Sequence, residues 1–189
     1  MICGVDEAGR GPWAGPVVAA AVIFPAKRPR GLADSKKMSA PAREELFSAI
    51  MALGLVGIGQ ASAAEIDQLN IRQATHLAMA RAVAGLPLAP QAALIDGNDP
   101  PALPCATEAI IDGDAHVPLI AAASIIAKVT RDRLMAHACA LYPGYGFAKH
   151  KGYGVPEHAA ALALLGPCAI HRMTFKPVAA ASKAGRDRH

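Results

Sequence analysis

Val5-Asp6-Glu7-Ala8-Gly9-Arg10-Gly11-Pro12, reached after an apolar lead-in from Ile2, decides how the rest of this chain is read. Ile2 to Val5 reads as a strand, and Asp6-Glu7 fall where that strand ends. Two adjacent carboxylates repel each other and titrate awkwardly unless a cation neutralises them. Gly9 and Gly11 bracket Arg10, so the backbone there can turn tightly and come close to a ligand. An acid pair, a permissive backbone and a guanidinium together point to a metal ion beside a phosphate.

Working outward, Val17 to Phe24 is an apolar run bounded by Pro16 and Pro25 and reads as a second strand. A basic loop, Ala26 to Met38, carries Asp34-Ser35-Lys36-Lys37. Ser39 is placed to N-cap a helix through Leu53, with Pro41 tolerated in its first turn. Leu55 to Gln60 reads as a short strand interrupted by glycine. Ser62-Ala63-Ala64-Glu65 has capping-box spacing, and Asn70 caps a longer helix ending near Gly85. Ala92 to Ile95 and Ala106 to Ile111 read as strands that run into Asp96-Gly97-Asn98 and Asp112-Gly113-Asp114. Pro118 opens a long helix closed by Pro143, and Pro156 opens a last one ended by Gly166. The residues after Pro177, rich in Ala, Lys and Arg, read as an unpacked tail. This order of elements predicts an α/β domain with a mixed sheet.

The 189 residues favour one domain, and 53% hydrophobic residues suffice for a core. Aromatics are only 4%, so that core is built from Ala, Val, Leu and Ile. A formal charge of +4 is compatible with a polyanionic partner. Cys3, Cys105, Cys139 and Cys168 lack a Cys-x-x-Cys spacing, which argues against structural zinc or a disulfide framework and fits a reducing compartment. The acidic pair arrives too early for a signal peptide. The longest apolar run, Val17 to Phe24, falls far short of the roughly 18 residues that span a bilayer. A cytoplasmic chain with no membrane association is expected, and nothing demands more than a monomer.

Asp6, Glu7, Asp96 and Asp114 lie at or just beyond the ends of three predicted strands. Ligands in α/β sheets collect outside the carboxyl ends of strands, so the four are expected to share one crevice. Alone, Asp-Gly is more often an ordinary turn; recurrence at strand ends is what raises these four. Asp99 and Asp112 are left as turn or solvent residues, and Glu108 as solvent-facing. Hard oxygen donors suit magnesium or manganese, and two such ions about 4 Å apart would clamp both oxygens of a phosphodiester displacement.

In the long helix, Ser124, Lys128 and Arg131 are spaced i, i+4, i+7 and share a face. Ser124 and Lys128 are expected to border the crevice, and Arg131 and Asp132 to form structural ion pairs. Lys36-Lys37, Lys149-His150-Lys151 and His171-Arg172 with Lys176 supply loop cations suited to a nucleic-acid backbone, although a plain basic surface explains them equally well. Tyr153, beside one of these clusters, is placed to stack on a sugar or base. The segment Gly9 to Gly15 has one residue too many for a dinucleotide-binding turn and feeds a strand rather than a helix. Neither a nucleophile elbow nor a phosphate-binding loop is present.

Val5 to Pro12, Asp34-Ser35-Lys36-Lys37, Asp67-Gln68-Leu69-Asn70, Ile95 to Asn98, Gly113-Asp114-Ala115, Ala121 to Asp132 and His150-Lys151-Gly152-Tyr153 resemble, in order and with compatible spacing, the motifs of bacterial ribonuclease HII. The ending His171 to Val178 resembles that family's last ordered segment. The resemblance implies a ribonuclease H-like fold over residues 1–178, with a central five-stranded mixed sheet flanked by helices. It implies a small helical C-terminal part from about residue 143, then a basic flexible tail over 179–189.

It further implies an endonuclease that cuts the RNA strand of RNA–DNA hybrids and incises duplex DNA on the 5′ side of embedded ribonucleotides. Asp6, Glu7, Asp96 and Asp114 would hold two divalent ions, magnesium or manganese, leaving 3′-hydroxyl and 5′-phosphate ends. Gly9, Arg10 and Gly11 would read the 2′-hydroxyl through backbone groups, and Tyr153 would pack on the sugar of the following deoxynucleotide. Lys36, Ser124 and Lys128 complete the expected substrate contacts. Trp13 departs from an expected Leu, with packing consequences only, and the short tail offers little to a clamp protein. Two rivals stand at this level: another two-metal nuclease, such as a junction resolvase or hybrid-only ribonuclease, and a non-catalytic hybrid-binding module.

Overall fold

In the computed structural model, which describes residues 1–32 and 38–186, the lead-in strand lies in the middle of the sheet. The strands are β1 (Ile2–Ala8), β2 (Val17–Ile23), β3 (Leu55–Ala61), β4 (Ala92–Asp96) and β5 (Ala106–Ile110), in spatial order β3-β2-β1-β4-β5. β1 pairs antiparallel with β2 and parallel with β4; β2–β3 is antiparallel and β4–β5 parallel. This is the expected five-stranded mixed sheet. Every residue of β2 is buried, which fits a strand covered on both faces and explains its unbroken apolar run.

The helices are α1 (Ala40–Leu53), α2 (Ala63–Leu69), α3 (Ile71–Ala84), α4 (Gly113–His116), α5 (Pro118–Leu141), α6 (Phe147–His150), α7 (Pro156–Leu165) and α8 (Lys176–Arg186). Their starts follow local chemistry. Ser39 accepts from Ala42 N–H, and Ser62 and Glu65 form a reciprocal capping box. Asn70 ends α2 and caps α3 through Gln73 N–H. Pro118 occupies the first turn of α5, where its missing N–H costs nothing.

Alternation along β2 divides the core. Cys3 and Val5 join Ala19, Ala21 and Ile95 in a cluster with α3, whereas Ala20 and Val22 pack with Ile125, Ile126 and Val129 of α5. Gly4 faces α5 so closely that a Cβ there would lie 2.2 Å from the backbone of Leu119. The first turns of α5 are therefore pressed against β1, beside the end that carries Asp6. A third cluster, Ala14, Met135, Tyr145 and Phe147, joins the far end of α5 to the C-terminal helices.

Two elements differ from expectation. Asp112 adopts a left-handed conformation (φ 52°) that turns the chain into α4, so Asp114 sits on a helical turn rather than at a strand end. The stretch after Val178, expected to be unpacked, continues in α8 to Arg186, with Val178 fully buried. Among the described residues, no helix is long and apolar enough to cross a membrane.

Candidate active site

The parallel pairing of β1 with β4 places Val5 opposite Ile95, which brings the next residues, Asp6 and Asp96, to neighbouring strand ends. There they open a cleft of about 340 Å³ lined by Asp6, Glu7, Gly9, Arg10, Gly11, Asp96, Ser124, Lys128, Arg131 and Tyr153, with Ala8 between. Asp114 is buried beside it, and its main-chain N–H donates to Asp96 Oδ1 at 3.2 Å. Ten of the eleven expected site residues thus meet at or next to one cleft. The eleventh, Lys36, with the rest of Asp34-Ser35-Lys36-Lys37, lies outside the described residues.

The acids are held under electrostatic load. Burial pushes the Asp6 carboxyl well above its usual range, and the charges of Glu7 and Asp96 push it further. Hydrogen bonds from Glu7 N–H, at 2.7 Å, and from the Ser124 hydroxyl oppose this without overcoming it. Glu7 is raised for the same first reason, burial, although Arg10 at 3.5 Å pulls the other way. Such crowding is relieved by a cation. The donors are all carboxylate oxygens, which suits a hard divalent ion. Among the described residues, no three His, Cys, Asp or Glu side chains form a ready-made ion cage. An ion bound here would take its remaining ligands from water and phosphate, as magnesium commonly does.

The other groups surround that acid cluster. Ser124 acts on Asp6, and Lys128 reaches the cleft while paired with Asp132 at 2.9 Å. Asp132 thus forms the structural ion pair expected of it, with a residue four positions away on the same face of α5. Arg131 is instead buried under the loop after β1 and donates to the carbonyls of Pro16 and Ala14. Gly9 (φ +95°) is required there, since a Cβ would lie 1.9 Å from Arg131 Nε. Tyr153 is 44% exposed and faces Gly11 across the cleft mouth.

Two expectations for loop cations fail. His171 and Arg172 are buried, so neither is available to a nucleic-acid backbone. The signal was the apolar company they keep, between Ile170 and Phe175. Lys149 is exposed and pairs with Glu157. Asp99, left as a turn residue, accepts a bidentate contact from Arg72 and approaches His76. Glu108 is solvent-facing as expected.

Comparison with known proteins matches residues 3–178 to the family model for Ribonuclease HII. This chain belongs to the ribonuclease HII family. The Ribonuclease HII of Parvibaculum lavamentivorans is 61% identical over 180 residues, covering 94% of this chain and 67% of that protein. Ribonuclease HII 1 of Methylibium petroleiphilum is 58% identical over 183 residues, 96% of this chain and 92% of that one. The crystal structure of ribonuclease H2 from Pyrococcus horikoshii superposes with a TM-score of 0.83 at 26% identity, covering 98% of both chains. The ribonuclease HII of Archaeoglobus fulgidus, solved as a complex with PCNA, gives a TM-score of 0.78 at 29% identity over 93% of this chain and 95% of that one. The protein is accordingly a ribonuclease H, a divalent-metal-dependent hydrolase that cuts within RNA–DNA hybrids.

Proposed function

We propose that this ribonuclease HII hydrolyses the RNA strand of hybrids and also incises duplex DNA on the 5′ side of a single embedded ribonucleotide, leaving 3′-hydroxyl and 5′-phosphate ends. The observation that carries this is the abutment of two unlike half-sites: crowded carboxylates on one wall, and the Gly9–Gly11 loop with Tyr153 on the other. Two divalent ions held by Asp6, Glu7, Asp96 and Asp114 would supply an activated water and charge stabilisation of the leaving oxygen.

The chain's own groups do the rest. Ser124 orients the Asp6 carboxylate, and Arg10 offsets part of the charge on Glu7. Lys128 presents a cation to the phosphate wall. The glycines of the Gly9–Gly11 loop let main-chain groups approach a 2′-hydroxyl, which both donates and accepts and so separates RNA from DNA at one position. Tyr153 offers its exposed ring to the sugar that follows. A base-independent reader of this kind needs backbone contacts rather than base-edge contacts.

The deciding experiment uses duplex DNA with one ribonucleotide, incubated with magnesium or manganese and then with a chelator, with the ends mapped. A metal-dependent cut 5′ to the ribonucleotide is expected. Inertness there, together with activity on long hybrids, would leave a hybrid-only ribonuclease. Binding without cleavage under any metal would leave a binding module.

A further inference from the structure

We propose that the buried dipeptide His171-Arg172 is a positioning device that sets the spacing between the Gly9–Gly11 loop and Tyr153, and thereby the demand for a ribonucleotide next to a deoxynucleotide. The inference rests on the reading above, that these two elements contact adjacent sugars.

Arg172 holds one of the two elements. Its guanidinium donates to the carbonyls of Gly9, Arg10 (2.7 Å) and Gly15 (2.9 and 3.0 Å), and its main-chain N–H donates to Trp13 O at 2.8 Å. One side chain thus gathers both ends of the loop that follows β1. Its hydrogen-bond acceptors there are carbonyls rather than carboxylates. Burial, with Arg131 nearby, lowers its pKa to about 9, so at neutral pH it keeps the charge that makes these bonds strong.

His171 holds the other element through a chain whose direction is forced. Cys168 N–H donates to His171 Nδ1 at 2.9 Å, so the proton of a neutral His171 lies on Nε2. That proton faces His158 Nε2 at 3.1 Å. His158 then carries its own proton on Nδ1, which donates to the carbonyl of Tyr153 at 2.9 Å. An amide that can only donate stands at one end and a carbonyl that can only accept at the other. His150, stacked on His158 with centroids 4.6 Å apart, accepts from Gly152 N–H and adds to the hold on the same turn.

Residues bonded to each other cannot change separation, since consecutive Cα atoms stay about 3.8 Å apart. The loop and the tyrosine are therefore tied to one ruler. The ruler itself is anchored. Asp67 of α2 accepts from Met173 N–H, Thr174 N–H and the Thr174 hydroxyl, and His171 bridges Ala14 in antiparallel fashion. Neither His171 nor Arg172 lines the cleft, so any effect on selectivity passes through the residues they hold.

The test compares Arg172→Lys, His158→Leu and His158→Asn with the parent enzyme on a long hybrid and on a single-ribonucleotide duplex, with folding checked by thermal unfolding. Lysine keeps the charge but not the fork that reaches three carbonyls. Arg172→Lys is expected to raise KM on the single-ribonucleotide duplex about tenfold or more, with kcat changed less than about threefold. On the hybrid, which offers many registers, the rise is expected to be smaller.

His158→Leu is expected to act similarly, and His158→Asn, which keeps a donor near the Tyr153 carbonyl, to recover most of the loss. In a Tyr153→Ala background the His158→Leu effect should vanish, because it is transmitted through that tyrosine. A folded Arg172→Lys enzyme with unchanged KM and substrate preference overturns the proposal. So does a His158→Leu effect of equal size with and without Tyr153, and if Arg172→Lys does not fold this cycle decides alone. Failure of the parent enzyme on the single-ribonucleotide duplex would instead defeat the functional reading on which the proposal rests.

Discussion

The main-chain N–H of Asp114 donates to Oδ1 of Asp96, so the backbone of α4 is tied to the acid at the end of β4. An asparagine at 114 keeps that main-chain bond while removing the side chain's charge. Asp114→Asn is expected to cut hydrolysis by more than about a hundredfold while leaving the unfolding temperature nearly unchanged. Parallel cleavage and calorimetric measurements check this; a fully active variant removes Asp114 from the metal site.

Asp6 carries the opposite expectation for stability. Burial and two neighbouring carboxylates disfavour its charge, so the metal-free protein is strained at this point. Asp6→Asn should abolish activity and stabilise the metal-free fold by about 1 kcal/mol, a rise of roughly 2–4 °C in a chain of this size. Function here is bought with stability.

Divalent ions should reverse that order. On the proposed site, magnesium or manganese would bind the folded acid cluster and not the unfolded chain, so it should raise the unfolding temperature of the parent protein in proportion to the logarithm of its concentration. The increment should be largely lost in Asp6→Asn. An equal shift in both proteins would place the ions elsewhere.

The Arg10 side chain is 53% exposed and lines the cleft. Arg10→Ala should weaken binding to duplexes without altering the metal requirement. It should also reduce the slope of log affinity against log salt by about one. Titrations at three or more salt concentrations read this directly, and an unchanged slope would deny it a phosphate.

Acid should weaken the fold through His171. Burial, with His158 adjacent, lowers its pKa to about 4, against about 6.5 when unfolded. A depressed folded-state pKa stabilises the protein above the unfolded value. That contribution, at most about 3 kcal/mol, is lost progressively as pH falls from about 6.5 towards 4. Asp6 and Glu7 have raised values and contribute with the opposite sign. Denaturant unfolding of the parent and of His171→Gln across this window separates them: the variant's stability should fall less steeply.

Local chemistry made most of the fold legible. The apolar run of β2, the caps Ser39, Ser62 and Asn70, and Pro118 each announce an element through contacts within a few residues. The acid cluster was legible because Asp6 and Asp96 end neighbouring parallel strands, a relation that topology alone supplies. Asp114 reached the same place by another route, since the left-handed Asp112 starts a turn that a strand pattern does not show.

Arg172 was misread as a loop cation, and Arg131, expected to be structural, bonds to carbonyls rather than to an acid. A guanidinium in a sequence shows charge and not burial, and the carbonyls that satisfy these two lie more than a hundred positions away. The tail was misread for a milder reason. Its Ala-rich composition favours helix once Val178 is anchored, and propensity alone does not reveal the anchor.

The grip of Arg172 on Gly9, Arg10 and Gly15 also imposes an order on biosynthesis. The first loop of the chain is closed by one of its last structured segments, after every strand of the sheet has already been made. On the proposed reading of the Gly9–Gly11 loop, a nascent chain would therefore bring its acids together before it could distinguish one sugar from another. The sugar-reading loop would then take its final shape only when residue 172 has cleared the ribosome.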